Sequence, residues 1–434
     1  MSAKCKKSLL GFLLILFFSQ LFNISSHAKN SIKGRWEGEL KATKIRVEME
    51  VRSWKLRDRW DVTISIPYDE IDNLDESRRS RISFEWKREP GIFFFEGRRR
   101  GDDAYGDFEF VADKKFVREM DKLGFDDVSI DKLLSMTIHN VELDFIKAVV
   151  KLDYDRLSPD RLIELKIHGV SVDYASKMKA LKLDGFNVNR LVEMKIHGVK
   201  PEWAREICES NLADLNAKKL IEMKIHGISS DFVKEMKASQ WEDLTVDNLI
   251  RLKIHGVNPD YARELRALNW DRLTLDKLVE MKIHGVKPDF VKEVKAAGWE
   301  GLTPDTVIKL KIHGVSSDFV KDMRDLDWDR LDLDKLVELK IHGINSDYAR
   351  EMKAIKWERF TPDQLIKMKI HGVKPDYARE MKALKLTDLT IDKLVDMKIH
   401  GVSPEFAKRV IDSGIKRVTC DRIIEFKIQG IDFN

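Results

Sequence analysis

Hydrophobic and polar positions repeat along most of this chain with a period of 29 residues. Each period contains the tripeptide Ile-His-Gly or a close relative, and no insertion or deletion interrupts the series. The histidine column comprises His139, His168, His197, His226, His255, His284, His313, His342, His371 and His400, and Gln429 takes the eleventh place. Because self-similarity at a fixed period is the signature of stacked repeats, the pattern predicts eleven tandem units over residues 113–431.

The unit from Asn258 to Val286 shows how one period is expected to fold. Asn258 before Pro259 predicts the start of a first helix, helix A, and Thr274 predicts the start of a second, helix B. Gly285 is assigned to the left-handed position that ends many helices. The predicted inner face of helix B consists of Leu278, Val279, Met281, Ile283 and Val286. Since so short a helix pair cannot bury enough surface alone, the units are expected to stack as an α-solenoid.

Residues 29–112, which precede the repeats, follow a period of two instead. About six segments alternate apolar and polar residues, as half-buried β-strands do, and turn-like breaks separate them, one at Tyr68 to Ser77. The clearest alternation involves Ile45, Val47, Met49 and Val51. These segments predict a small antiparallel β-domain, a sheet or barrel, that caps the first repeat. The predicted fold class is therefore mainly α, an α-solenoid of eleven 29-residue helical hairpins preceded by a small antiparallel β-domain.

The N-terminal residues show the three-part pattern of a secretory signal peptide. A basic segment from Lys4 to Lys7 precedes an apolar run from Leu9 to Phe22, and Ser26-His27-Ala28 forms a cleavage site before Lys29. The run is shorter than the roughly 20 residues needed to span a bilayer. Residues 1–28 are therefore predicted to be removed, which leaves an exported protein, periplasmic or extracellular, that does not span a membrane.

Composition narrows the range of partners and cofactors. Charged residues make up 35% of the chain, yet the net charge is only +4. A dedicated nucleic-acid binder would normally carry a strongly basic domain, so nucleic acid is not an expected partner. The cysteines beyond the signal peptide, Cys208 and Cys420, lie in repeats four and eleven, too far apart to join within one chain, and are expected to be free thiols. No cofactor is predicted.

The histidine column admits a functional and a structural interpretation. It could form a metal or haem ladder, or a pH sensor, because imidazoles titrate near pH 6.5. Alternatively, each histidine precedes the helix-ending glycine, where a ring donor can meet unpaired carbonyls. Stacked helices would hold the rings ~8–10 Å apart, whereas Zn²⁺ ligands must meet at ~2.0–2.1 Å from one ion. The structural interpretation is therefore favoured, and no metal site is predicted.

A lysine column accompanies the histidines two positions earlier. Its members are Lys166, Lys195, Lys224, Lys253, Lys282, Lys311, Lys340, Lys369, Lys398 and Lys427. A regular basic stripe could bind a polyanion. Acidic residues two positions before most of these lysines balance the charge, and cations near a helix C-terminus complement the helix dipole. A solvated face is therefore favoured.

A shorter aromatic column falls in the turn between helix A and helix B. It consists of Trp241, Trp270, Trp299, Trp328 and Trp357. Packing between repeats would explain these rings, because aromatic side chains bury a large area. If the rings were half exposed they would instead anchor a partner, since Trp is enriched at binding hot spots. Both interpretations stay open, and the five residues are the candidate partner-binding site.

The repeat also resembles a known kind of sequence. The stretch from Lys253 to Glu264, Lys-Ile-His-Gly-Val-Asn-Pro-Asp-Tyr-Ala-Arg-Glu, resembles tandem repeats of uncharacterised bacterial exported proteins. It is similar to arrays appended to membrane metallopeptidases of the β-lactam-sensor type, and residues 95–108 resemble the segment before such arrays. The resemblance covers residues 90–434. It implies no activity, because a His-Glu-x-x-His peptidase motif is absent from the sequence and no catalytic residue transfers.

These features together predict a protein that binds rather than catalyses. Nucleophilic catalysis needs a base beside the nucleophile, and every histidine beyond the signal peptide belongs to the repeating column. The first hypothesis is a non-enzymatic exported scaffold whose repetitive helical surface binds a protein or polymer partner. The alternative is a small-ligand carrier, in which the β-domain holds an apolar molecule among Trp36, Trp54, Trp60, Trp86 and Phe93.

Overall fold

A computed structural model describes residues 31–52, 59–76, 80–242, 244–270, 273–328 and 331–433. The predicted signal peptide, residues 1–28, and Trp54 lie outside these ranges. The chain divides into two compact units, one ending at Ile225 and one beginning at His226. Within the described ranges, no helix is long and apolar enough to cross a membrane.

The first unit begins with a seven-stranded antiparallel sheet. Its strands are β1 (Ser31–Leu40), β2 (Lys44–Arg52), β3 (Arg59–Pro67), β4 (Ile71–Asp75), β5 (Arg81–Arg88), β6 (Gly91–Arg100) and β7 (Asp103–Ala112). Their order in the sheet is β3-β2-β1-β7-β6-β5-β4. Only Tyr68–Glu70 separate the two outermost strands along the chain, so the sheet must curl to bring those strand ends near each other. The sequence predicted about six strands. The additional strand, β4, is an exposed edge strand without alternation, and it lies where a turn was predicted.

Alternation along these strands gives the sheet one apolar face. Its aromatic rings touch one another, and Phe84 and Phe95 stack with ring centroids 4.5 Å apart. The buried side chains include Trp36, Phe84, Trp86, Phe93, Phe95, Phe108 and Phe110. The polar residues between them point to the opposite face, as the pleat requires.

Residues 113–431 form helical hairpins, so the predicted fold class is confirmed. Helix A of successive repeats is α1 (Lys114–Lys122), α3 (Leu143–Lys151), α5 (Val172–Lys179), α7 (Pro201–Glu209), α9 (Ser230–Ala238), α11 (Pro259–Arg266), α13 (Pro288–Ala296), α15 (Ser317–Asp325), α17 (Ser346–Ala354), α19 (Pro375–Ala383) and α21 (Pro404–Asp412). Helix B is α2 (Ile130–Ile138), α4 (Pro159–Ile167), α6 (Val188–Ile196), α8 (Ala217–Ile225), α10 (Val246–Ile254), α12 (Leu275–Ile283), α14 (Pro304–Ile312), α16 (Leu333–Ile341), α18 (Pro362–Ile370), α20 (Ile391–Ile399) and α22 (Cys420–Ile428).

Stacking follows one rule inside each unit. In the first unit, which contains α1 to α8, helix A packs on the helix A of the next repeat and helix B on the next helix B. The same pattern holds from α9 to α22 in the second unit. In the first unit, α2 also contacts β1, β6 and β7, so the sheet covers the first repeat.

Short-range signals begin and end each helix. The Asn258 side chain accepts a hydrogen bond from the Tyr261 backbone N–H at 2.8 Å, which caps the start of α11. At the end of α12, Gly285 has φ +67° and the Val286 N–H donates to the Met281 carbonyl at 2.9 Å. This is a Schellman motif, which satisfies helix-end carbonyls with backbone donors.

Candidate functional site

The part of the repeat that is most alike among the copies in this chain lies where helix B ends and turns toward the next helix A. We call the segment from Lys-Ile-His-Gly-Val, or its equivalent, to the first residue of the next helix A the corner. Its lysine folds back onto the aromatic side chain of helix A in the same repeat, as Lys282 Nζ does at 4.6 Å from the centre of the Tyr261 ring. Ten repeats share this cation–π contact, at 4.5–5.3 Å. The lysine column is therefore not simply a solvated stripe, because each ammonium group is held on a ring.

Where the helix A ring under this lysine belongs to a tyrosine, the tyrosine hydroxyl makes a second contact within the corner. The hydroxyl of Tyr261 donates to the Val286 carbonyl at 2.9 Å, and Tyr348 and Tyr377 make the same bond to Val373 and Val402. Burial raises the pKa of all three tyrosines, so their hydroxyls keep the proton that they donate. The lysine–ring contacts and the tyrosine hydrogen bonds thus stabilise the corner on its inner side.

The histidine of the corner is a helix C-cap through its backbone rather than its ring. In the sixth repeat, the His284 N–H donates to the Glu280 carbonyl at 3.1 Å. No ring hydrogen bond from the column to a helix-end carbonyl occurs in the part of the chain that the structure describes, so the expected ring cap was wrong. Backbone donors already meet the Glu280, Met281 and Lys282 carbonyls at this helix end. Most of the rings are exposed, and the described residues contain no cluster of three or more His, Cys, Asp or Glu that could hold a metal ion.

The isoleucine of the corner points into solvent. Its exposed fraction is 45–63% in nine repeats, and 58% at Ile283. The assignment of Ile283 to the inner face of helix B was therefore wrong. Because successive residues of an α-helix are about 100° apart, Ile283 lies on the side of the helix opposite buried Met281. The backbone bond from Val286 to Met281 folds the chain under the end of the helix, and buried Val286 takes the inner position.

In the second unit these side chains form a regular apolar row. We call it the isoleucine ladder: Ile254, Ile283, Ile312, Ile341, Ile370, Ile399 and Ile428. The fold gains little from a large β-branched side chain that is more than half exposed, whereas rows of exposed apolar groups mark interaction sites. The ladder was missed in the sequence because its spacing is also that of a buried helix position.

The tryptophan column lies mainly inside the second unit. Trp241, Trp299 and Trp328 have exposed fractions of 7–8%, and Trp270 and Trp357 are half-buried. A cation from the next helix A covers four of the rings, for example Lys353 Nζ at 4.2 Å from the centre of Trp328. This arrangement favours packing between repeats. Partner binding through the five tryptophans stays a prediction, with little ring surface left to support it.

The aromatic residues proposed to hold an apolar ligand fill the sheet instead. Trp36, Trp86 and Phe93 are buried against other rings, and the Trp86 indole N–H donates to Glu70 at 3.0 Å. The side chains of Trp54 and Trp60 lie outside the described residues. A cavity of 1020 Å³ on the domain is lined mostly by charged side chains such as Arg35, Glu96 and Arg98. The apolar carrier therefore draws no support from these aromatic residues.

Cys208 and Cys420 are free thiols, as predicted. Cys420 is fully buried, and burial together with nearby Asp388 raises its pKa to about 12. Burial also raises the pKa of Cys208. Since the thiolate is the nucleophile, neither environment activates its sulfur.

The chain matches no model of a known protein family, and no curated protein matches it. The resemblance to exported repeat proteins stays a prediction.

Proposed function

We propose that this protein is a non-enzymatic scaffold, exported from the cytosol, that binds a protein or polymer partner along the isoleucine ladder. The observation that carries the proposal is the exposure of the same apolar side chain at the same corner of successive repeats. Repetition distributes the contact, because solenoids recognise partners along extended surfaces rather than at one pocket. Export rests on the signal-peptide pattern of residues 1–28.

The contribution of the isoleucine ladder to the free energy of binding can be estimated from the exposure of its side chains. Complete burial of an isoleucine side chain stabilises by about 1.5–3 kcal/mol. Because the ladder side chains are already nearly half covered, a partner that covers the rest gains about 1 kcal/mol at each corner. Loss of three anchors should therefore weaken binding by about 3 kcal/mol, or roughly 100-fold.

The test replaces three neighbouring anchors, Ile283→Ser, Ile312→Ser and Ile341→Ser, in one protein. Wild type and variant are used as bait in extracts of the native host, and captured proteins and polysaccharides are quantified. We expect a partner retained by wild type to be lost from the variant. The thermal melt should change little, because the removed surface is mostly solvated.

The control variant replaces three exposed cations of helix A in the same repeats: Arg263→Ser, Lys292→Ser and Lys321→Ser. The ion pairs of Arg263 and Lys292 are exposed and contribute little to stability. This variant should retain the partner. Equal retention by the isoleucine variant and wild type would refute the ladder as the binding surface.

A further inference from the structure

One corner of the array is already occupied, and its occupant shows what a corner can bind. The turn between β5 and β6 reaches the corner of the first repeat, in the first unit. Arg88 Nη1 donates to the Thr137 and Ile138 carbonyls, both at 3.0 Å, at the end of α2. The next residue, Glu89, accepts a hydrogen bond at 2.6 Å from the Leu143 N–H, the first residue of α3.

The β-domain holds this occupant through an ion pair and a ring contact. Arg88 Nη2 pairs with Glu70 at 2.8 Å, and its guanidinium carbon lies 4.5 Å from the centre of the Trp86 ring. Only 19% of the Arg88 side chain is exposed. Ile138, the isoleucine of this corner, is half-buried, whereas its counterparts in the ladder are exposed. A cation and an adjacent carboxylate thus satisfy the negative end of helix B and the positive end of the next helix A together.

Two corners of the second unit present the same pair of groups. The carbonyls of Ile312 and Ile341 end helix B, and the N–H groups of Ser317 and Ser346 begin the following helix A. Among the described residues, none of these four groups makes a hydrogen bond. The neighbouring lysines, Lys311 and Lys340, which stand where the first repeat has Thr137, are engaged by the rings of Phe290 and Phe319.

Other corners of the second unit lack one of these groups. Their first helix A residue is proline, which has no N–H to donate. These residues are Pro259, Pro288, Pro375 and Pro404. The two-point contact made by Arg88 and Glu89 is therefore available at the corners of Ile312 and Ile341 but not at the corners with proline.

We propose that the Ile312–Ser317 and Ile341–Ser346 corners bind a partner turn in which an arginine is followed directly by a glutamate. The arginine donates to the last carbonyl of helix B, the glutamate accepts from the first N–H of helix A, and apolar atoms of the turn cover the isoleucine. The proposal rests on the scaffold function and specifies the partner chemistry at two corners.

The test uses the full chain and a cyclic peptide with the sequence from Trp86 to Ile92, which carries a benzophenone on its lysine. Cross-links formed under light are mapped by mass spectrometry to individual corners. We expect cross-links at the corners of Ile312 and Ile341 and about tenfold fewer at the corners followed by Pro288 and Pro375, since a hydrogen bond to a charged group is lost there. A peptide with glutamine in place of its arginine should cross-link at neither kind of corner.

Exchanging single residues between corners provides the matched controls. Ser317→Pro should reduce cross-linking about tenfold at its own corner and leave the Ile341 corner unchanged, whereas Pro288→Ser should create cross-links at the corner of Ile283. Both exchanges place a residue that sister repeats already carry, so the fold should tolerate them. Equal cross-linking at every corner, or none at any, overturns the arginine–glutamate proposal. If partner capture in the isoleucine experiment still depends on the ladder, the scaffold function survives that failure.

Discussion

The glycine that follows helix B in the second unit can be tested without disturbing its surroundings. Gly285, Gly314 and Gly343 have φ between +67° and +70°, and a methyl group added at any of them would meet nothing within 4 Å. A change of stability on substitution therefore reports the backbone conformation and not a steric clash. The first repeat carries Asn140 at the same position with φ +51°, which identifies asparagine as the substitute that the fold accepts.

The expected magnitude follows from two opposing terms. Alanine in a left-handed conformation costs about 1–2 kcal/mol, and its lower freedom in the unfolded chain offsets about 0.4–1 kcal/mol. The triple alanine variant should therefore lose roughly 3 kcal/mol of unfolding free energy, about 1 kcal/mol at each site. The triple asparagine variant should lose less than half of that, because asparagine visits this conformation with local hydrogen-bond support.

Urea unfolding followed by far-UV circular dichroism compares the two variants with wild type. Hydrogen exchange of the Val286 amide adds a local measurement, since its bond to the Met281 carbonyl closes the helix end. Exchange there should accelerate more in the alanine variant. An alanine variant as stable as wild type would refute the need for the left-handed turn, and equal losses for alanine and asparagine would show that space rather than φ is limiting.

Two predictions concern the histidines. His284→Gln should change the melting temperature little and chelators should not change it at all, because the ring is exposed and Gln429 occupies the same column; metal retained at stoichiometry after chelation would contradict this. His139 differs, since burial and then the Arg88 guanidinium lower its pKa from the usual 6.5. As pH falls through about 6.5 the unfolded chain takes up a proton that the folded chain resists, so stability is lost on acidification. Between about pH 7.5 and about pH 5.5 the unfolding midpoint of wild type should therefore fall more than that of His139→Gln, and parallel pH profiles would show that this ring does not contribute.

Local signals in the sequence were sufficient for the repeat and for the ends of its helices. Asn258 and Thr274 cap helices within three residues of themselves, and Gly285 requires only its own φ and two nearby backbone bonds. Alternation likewise located most strands of the β-domain. It did not locate β4, because an exposed edge strand carries no apolar face.

Tertiary structure alone decided which side chains of the corner are available to a partner. Ile283 and Val286 are both apolar and three residues apart, yet Val286 is buried after the turn under the helix end whereas Ile283 is exposed. The sequence favoured a solvated position for Lys282, whereas the structure places its ammonium group over the ring of Tyr261, 21 residues earlier. Arg88 and Glu89 carried no signal at all, because their role depends on carbonyl and N–H groups about 50 residues away, at separations set by the packing of the sheet on α2. The 29-residue period is a local property of the chain, whereas the exposure of a side chain depends on which distant surfaces meet. Buried and exposed positions of the repeat recur with the same period, so the period alone does not distinguish them.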